Sequence, residues 1–188
     1  ARRQGWSFSA QKRKGWERDY PGLKLFDRGH SRHGKNIITG KFRGREVVCL
    51  DYRYTTGHGK NRQTHNYGVV IVRLDHPVIP LLIRREHAFD KVGEFLGMDD
   101  IDFESAEFSR KFYVKSSDRK WAYDVIHTRT MDYLLKGPSY QIEFGFAELC
   151  VYKNGHFNPE TYEQALDFAV GLLDLVPDYV VKQMKGDR

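Results

Sequence analysis

A chain of 188 residues, of which 40% are apolar and 30% charged, is long enough to bury a substantial core within a single domain. This composition argues against disorder, and no stretch approaches the roughly 18 to 20 apolar residues that a membrane-spanning helix requires. The net charge of +6 is unevenly placed, since residues 1–45 carry 13 Lys or Arg against three acidic residues, a net of +10. We therefore expect a soluble domain with a strongly basic N-terminal quarter.

The first half of the chain predicts a leading segment followed by β-strands. Residues 1–22 form a basic segment, whose aromatic residues indicate packing, and residues 23–182 are predicted to form one domain. Short runs rich in Val, Ile, Tyr and Thr favour strands. They cover residues 23–26, 36–42, 45–56, 63–74 and 78–84. Gly40 is expected to mark a bulge, Gly44 a tight hairpin turn, and residues 57–62 a long basic hairpin loop.

The strand over residues 45–56 indicates how polar each face of the sheet is. Leu50 and Tyr52 share one face, whereas Cys49, Asp51 and Arg53 share the other. One face is thus apolar and the other mixed, which is typical of an antiparallel sheet with one solvated side.

The second half of the chain alternates predicted helices and strands. Helices are expected over residues 86–96 and 118–136, the latter capped by Ser117, and strands over 101–104, 108–115, 140–144 and 146–153. A final helix begins at the cap Asn158 and Pro159 and is kinked or ended by Pro177. Because most strands follow other strands, the sequence predicts an α+β fold, a largely antiparallel sheet with about three helices packed on one face or end.

The two cysteines, Cys49 and Cys150, both lie in apolar runs typical of strands. They are interpreted as buried thiols that behave as small hydrophobic side chains. Pairing between them stays open, although two cysteines do not make a disulfide scaffold.

Two patterns resemble known ligand sites but lack essential parts. Residues 29–35 match the core of a phosphate-binding loop, yet Asn36 stands where Ser or Thr is needed and a strand follows in place of a helix. Asp100, Asp102 and Glu104 alternate as in a calcium loop without its Gly and final Glu. Since no nucleophile motif is present either, the sequence predicts no catalytic residue, no metal and no cofactor.

Four histidines leave one enzymatic alternative open. If the strands pair suitably, these imidazoles gather and bind zinc, as in a metal-dependent hydrolase. The pattern is a weak signal because no Cys or carboxylate with ligand spacing accompanies it. The residues are His30, His33, His58 and His65.

Two basic loops form the predicted binding surface. If they lie at the same end of the sheet, they make a patch for an anionic ligand, and each Lys or Arg contributes about 1 kcal/mol near an acidic bilayer. Nucleic acid uses the same charges, but its recognised binding motifs are absent. The predicted residues are Arg28, His30, Arg32, His33 and Lys35 in one loop and His58, Lys60 and Arg62 in the other.

Several stretches carry a resemblance to a known family. They are residues 28–32, Asn36, 51–56, 107–114, Asp118, 122–123, Met131 and 134–135. Over about residues 15–180 the chain resembles a family of uncharacterised bacterial proteins, common in actinobacteria and known as membrane or secreted proteins or as domains of unknown function. The resemblance implies one or two hydrophobic segments before this domain. It supplies no catalytic residues.

These observations together favour a non-enzymatic accessory or interaction domain. The start at Ala1-Arg2-Arg3, without an initiator Met or a signal peptide, indicates that a segment precedes it. Arginines directly after a membrane span favour the cytoplasmic side. We expect a domain tethered at the cytoplasmic face of a bacterial membrane, where its basic loops contact anionic lipid or an acidic protein partner. A metal-dependent hydrolase is the alternative, followed by nucleic-acid binding.

Overall fold

A single antiparallel sheet organises the chain in the computed structural model, which describes residues 5–85 and 99–186. Nine strands in these ranges join in the order β1-β2-β3-β4-β9-β8-β5-β7-β6. All the pairings between them are antiparallel. The strands are β1 Ser7–Ser9, β2 His30–Phe42, β3 Arg45–Thr56, β4 Gln63–Arg73, β5 Leu81–Arg85, β6 Asp99–Asp100, β7 Phe112–Ser116, β8 Gln141–Phe144 and β9 Glu148–Asn154.

The helices connect and cover this sheet, and the predicted α+β class is confirmed. Most of them are short, and only α5 exceeds nine residues among the helices in the described ranges. The α-helices are α1 Trp16–Asp19, α2 Ala106–Lys111, α3 Arg119–Val125, α4 Thr128–Lys136, α5 Pro159–Leu173 and α6 Asp178–Lys185, and 3-10 helices cover Lys24–Asp27 and Gly59–Asn61.

Local chemistry determines the elements that the sequence predicted well. The cap of α5 is confirmed, since the Asn158 Oδ1 accepts a hydrogen bond of 2.7 Å from the backbone N–H of Thr161, with Pro159 in the first turn. The hairpin between β2 and β3 is confirmed as well. Arg43 and Gly44 have φ angles of 48° and 80°, as the tightest hairpin turns require.

Four predicted elements differ from the structure. Residues 23–26 form a 3-10 turn, not a strand, and residues 101–104 are not a strand. Residues 108–115 split into α2 and β7, because Ser105 accepts a hydrogen bond from the N–H of Phe108 and starts a helix. The helix predicted over 118–136 is two helices with a break at Ile126, and its cap is Asp118 instead of Ser117. The helix predicted over 86–96 lies outside the described residues.

Gly40 does not mark a bulge. It pairs in register with Val47, and the irregularities of β2 lie between His30 and His33 and between Lys35 and Ile38. A Cβ on Gly40 would lie 2.6 Å from the Trp6 ring. The residue is therefore small because an indole packs on it.

Both faces of the sheet are buried, which corrects the expectation of one solvated side. On the α5 face lies the main core, which includes Val47, Cys49, Val70, Val151, Ala165 and Leu172. On the opposite face Trp16, Tyr20, Leu23, Leu25 and Phe26 pack against Leu50, Tyr52, Tyr67, Val69 and Tyr152, and this set is the second core. Each fully buried large side chain contributes about 1.5–3 kcal/mol, so residues 16–26 are an integral layer of the fold.

Both cysteines are free and buried, as predicted. Within residues 5–85 and 99–186, no helix has the length and apolar character needed to cross a membrane.

Candidate functional site

One of the two predicted basic loops is wrong as a loop, because residues 30–35 belong to β2, but the start of this strand meets the other basic loop at one end of the sheet. Because β2 and β3 are antiparallel, with His30 opposite Thr55, the start of β2 lies beside the loop that follows β3. The imidazole of His30 stacks on that of His58, with ring centroids 4.9 Å apart and planes 4° from parallel. The His30 Nε2 lies 3.0 Å from the carbonyl oxygen of Gly57. The condition that the sequence left open, convergence of the two loops, is met.

Glycines allow this close approach. Gly29 has a φ of 57°, and a Cβ there would lie 2.2 Å from the carbonyl oxygen of Thr55. Gly57 and Gly59 also have positive φ angles, of 68° and 57°. Since these angles suit glycine best, residues 57–62 turn tightly and hold Lys60 and Arg62 in solvent.

Seven of the eight predicted binding residues reach the surface; six lie near this end, and Lys35 lies farther along β2, opposite Asp51. His58, Lys60 and Arg62 are exposed, and the other four are half-buried. The Arg32 guanidinium donates a 3.0 Å hydrogen bond to the carbonyl of Phe26, and this bond attaches the Arg32 side chain to the second core. We call this group the basic end; it consists of His30, Arg32, His33, Lys35, His58, Lys60 and Arg62.

Arg28 does not belong to this surface. It is 5% exposed, and its Nη2 lies 3.6 Å from the Glu143 Oε1 and 3.3 Å from the Tyr152 hydroxyl, to which it donates. The Tyr152 hydroxyl donates to the same carboxylate, and the backbone N–H of Leu25 donates to the other oxygen. A buried guanidinium needs such partners, so Arg28 joins the second core to β8 and β9.

Few acidic side chains accompany the basic end. Between Arg28 and Arg73 the sequence contains ten Lys or Arg but only Glu46 and Asp51 as acidic residues. Glu46 follows the turn at the other end of the hairpin, and Asp51 is buried. The positive charge of the basic end is therefore little compensated by its own strands.

The four histidines of the predicted zinc site have separate contacts. His30 stacks on His58, while His33 Nδ1 lies 3.1 Å from the carbonyl of Ser31. His65 bonds the Thr56 hydroxyl at 2.8 Å and stacks on Tyr54. Across the described parts of the chain, no three His, Cys, Asp or Glu side chains are grouped as metal ligands. The motif of residues 29–35 runs into β2, so no helix N-terminus follows it.

A groove on the α5 face is a second candidate site, which the sequence did not predict. It lies between the edge strand β1, its neighbour β2 and the start of α5. Its volume is about 390 Å³, within the roughly 300–1,000 Å³ of small-molecule sites. We call it the edge groove. Its lining is Trp6, Phe8, Asn36, Ile38, Phe42, Cys49, Asp51, Phe157, Pro159, Tyr162, Glu163 and Leu166.

The edge groove has a polar floor around Asp51. The Asp51 side chain accepts hydrogen bonds from the Asn36 Nδ2 at 2.7 Å and the Tyr162 hydroxyl at 3.2 Å, and the His156 Nδ1 lies 3.4 Å away. Burial and the nearby carboxylate raise the pKa of Tyr162, so its hydroxyl stays a donor. An acidic residue within the apolar run of residues 47–54 was the one sequence signal for this floor.

Comparison with known proteins gives one structural similarity. No family model and no curated protein matches the chain. A solved structure, the crystal structure of the mycobacterial trehalose monomycolate transport factor A, TtfA, matches with a TM-score of 0.68 at 11% sequence identity. The match covers 94% of this chain and 91% of that one.

The chain has a TtfA-like fold. At this identity the likeness establishes the fold alone, and it extends over nearly the whole of both chains. The mycobacterial source of TtfA agrees in part with the actinobacterial resemblance noted in the sequence.

Proposed function

We propose that this chain is a non-enzymatic interaction domain that binds anionic membrane lipid through its basic end and serves lipid transport in a bacterial cell. The observation that carries the proposal is the stacking of His30 on His58, which brings the start of β2 against the basic loop that follows β3. The sequence alone left their relative position open.

The magnitude of the attraction supports binding at a membrane. Arg32, Lys35, Lys60 and Arg62 contribute about 1 kcal/mol each near an anionic bilayer, which together is enough to concentrate a domain there. The effect falls with distance over about 8 Å at physiological salt. Binding of this kind is reversible and sensitive to ionic strength, which suits an accessory component more than a permanent anchor.

The association with lipid transport is supported by the TtfA-like fold. TtfA is named as a transport factor for trehalose monomycolate. A domain of the same fold with a basic lipid-binding end suits a similar accessory role. Tethering at the cytoplasmic face of the membrane, expected from the sequence resemblance, belongs to this proposal.

Vesicle co-sedimentation tests the proposal with charge reversals. The protein is expected to bind vesicles of phosphatidylcholine with phosphatidylglycerol, but not pure phosphatidylcholine, and to dissociate at high salt. Lys60→Glu with Arg62→Glu changes two exposed loop residues and should weaken binding by about 2 kcal/mol or more, roughly 30-fold. Arg129→Glu with Lys182→Glu, on exposed positions of α4 and α6, is the matched control and should bind like the unaltered protein.

Four outcomes would overturn the proposal. Equal binding to neutral and anionic vesicles, or an equal loss in the control variant, removes the role of the basic end. Binding to polyglutamate without binding to vesicles indicates an acidic protein partner instead of lipid. Binding to duplex or single-stranded DNA that exceeds vesicle binding at the same salt indicates nucleic acid.

A further inference from the structure

The edge groove continues the main core to the margin of the sheet. Phe8 pairs in register with Ile38, and Ile38 pairs with Cys49, so the three side chains lie in one row on the α5 face. Trp6, Ile38, Phe42 and Phe157 pack against the main core, and Leu166 belongs to it. The groove is therefore an apolar wall that leads from the core to solvent.

One aromatic side chain on this wall is left in water. Phe8 is 56% exposed on β1, whose three residues are all exposed at the edge of the sheet. An exposed ring that continues an apolar groove offers a surface for an apolar ligand, whereas a single isolated one needs no explanation. The wall is suited to an alkyl chain.

The charge of the lining determines which head group accompanies that chain. Among the described residues that line the groove there are two acids, Asp51 and Glu163, and no Lys or Arg. A phosphate or carboxylate would meet two negative side chains, and its repulsion is strongest from Asp51, which is buried. Hydroxyl groups can donate to the remaining lone pairs of Asp51 and accept from the second N–H of Asn36.

Asn36 is held in place for this role. Its φ of 51° lies in the left-handed region, at the irregularity between Lys35 and Ile38. This conformation is uncommon outside glycine, although Asn tolerates it better than most residues. It directs the amide towards Asp51, with which it forms the 2.7 Å hydrogen bond.

Cys49 gives the groove no covalent chemistry. Burial raises the pKa of its thiol to about 12, so the thiolate required of a nucleophile is scarce near neutral pH. The groove is built for binding.

We infer that the edge groove binds a single-chain lipid with an uncharged head group rich in hydroxyls. The alkyl chain lies along Phe8, Ile38 and Leu166, and the hydroxyls bond Asp51 and Asn36. Lys35 of the basic end pairs in register with Asp51, so the groove adjoins the surface proposed to meet the membrane. The inference stands on the groove alone and does not need the basic end to bind lipid.

Decyl maltoside below its micellar concentration is the probe. Its binding is measured by titration calorimetry and by the fluorescence of Trp6, which lines the groove. We expect saturable binding at one site and binding of decyl sulfate, which has an anionic head group, at least about tenfold weaker. Vesicles are not involved, so failure here is distinct from failure of the basic end.

Matched variants locate the site. Phe8→Ala should weaken maltoside binding about tenfold, because the alkyl chain can no longer cover the exposed half of the Phe8 ring. Phe146→Ala is the control, since Phe146 is 53% exposed and does not line the groove. Glu163→Gln, at an exposed position, should narrow the preference for maltoside over sulfate by about threefold or more. Asp51→Asn should reduce the preference for maltoside over sulfate further, and circular dichroism confirms that this variant is folded.

Four outcomes would overturn the inference. They are the absence of binding below the micellar concentration, equal binding of maltoside and sulfate, equal effects of Phe8→Ala and Phe146→Ala, and a dimer in light scattering that dissociates when the probe is added. The last result would assign the groove to a second copy of the chain.

Discussion

Arg28 and Glu143 form an ion pair inside the second core, with side chains that are 6% and 2% exposed. The guanidinium comes from the segment before β2 and the carboxylate from β8. Tyr152 and the backbone N–H of Leu25 contact the same carboxylate. The pair therefore joins the basic N-terminal quarter to distant strands, and a residue predicted for binding holds the fold together instead.

Glu143→Ala should destabilise the protein by about 3–5 kcal/mol, because it leaves the Arg28 guanidinium buried without its carboxylate. Urea denaturation followed by circular dichroism measures the change. The control is Asp167→Ala, which breaks the exposed 2.6 Å pair with Arg43 and should cost less than about 1 kcal/mol. Similar losses in both variants would show that the buried pair has no special role in stability.

Gly68→Ala should destabilise the protein by about 1–3 kcal/mol through overpacking. A Cβ at Gly68 would lie 2.2 Å from the Phe157 ring, which forms part of the edge groove. The double variant with Phe157→Ala removes the ring, so the two changes should be non-additive and the added penalty of the Cβ should disappear. Strict additivity in urea denaturation would show that the ring moves aside at no cost.

The sequence predicted an element correctly where neighbouring residues determine its structure, and incorrectly where tertiary packing does. The cap of α5 and the turn at Arg43 and Gly44 depend on neighbouring residues, and both were predicted. Residues 23–26 have the apolar character of a strand, but Leu25 and Phe26 instead face a core built from β3, β4 and β9. Their 3-10 turn is decided by tertiary packing, which a local pattern does not contain.

The candidate sites also combine features that are evident in the sequence with features that depend on tertiary contacts. The composition of the two basic loops was evident, yet only the pairing of β2 with β3 places His30 against His58. The edge groove depends on Phe157 covering Gly68 and on Tyr162 reaching Asp51, contacts between residues far apart in the chain. The one sequence signal for its polar floor is an acidic residue in an apolar strand.

Both cysteines should resist thiol reagents in the folded protein. Burial raises the pKa of Cys49 to about 12 and that of Cys150 well above its ordinary value. At pH 8 only about one Cys49 thiol in 10,000 is then ionised. Ellman's reagent should detect almost no thiol in the native protein and two in guanidinium chloride. A rapidly reacting thiol in the native protein would show that β3 or β9 opens easily.

The stability contributed by Asp75 should depend on pH. The hydrogen bond from Lys185 at 2.7 Å, and then that from His76, hold the pKa of Asp75 well below its ordinary value of 3.8. A depressed pKa stabilises the folded state at pH values above the ordinary pKa, and the contribution is lost as the pH falls below it. Because the Asp75 side chain is 70% exposed, solvent screens the pair and limits the contribution to about 0.5 kcal/mol.

Asp75→Asn should therefore lower the free energy of unfolding by about 0.5 kcal/mol at pH 7 and by less at pH 2, which lies below the ordinary pKa of the carboxyl group. Because Lys185 is the last residue of α6, amide exchange in that helix should also become faster at pH 7. Asp174→Asn, which removes the exposed partner of Arg45 at 3.4 Å, is the control and should leave exchange in α6 unaltered. If Asp75→Asn lowers stability equally at both pH values, a contact other than the ion pair with Lys185 is responsible.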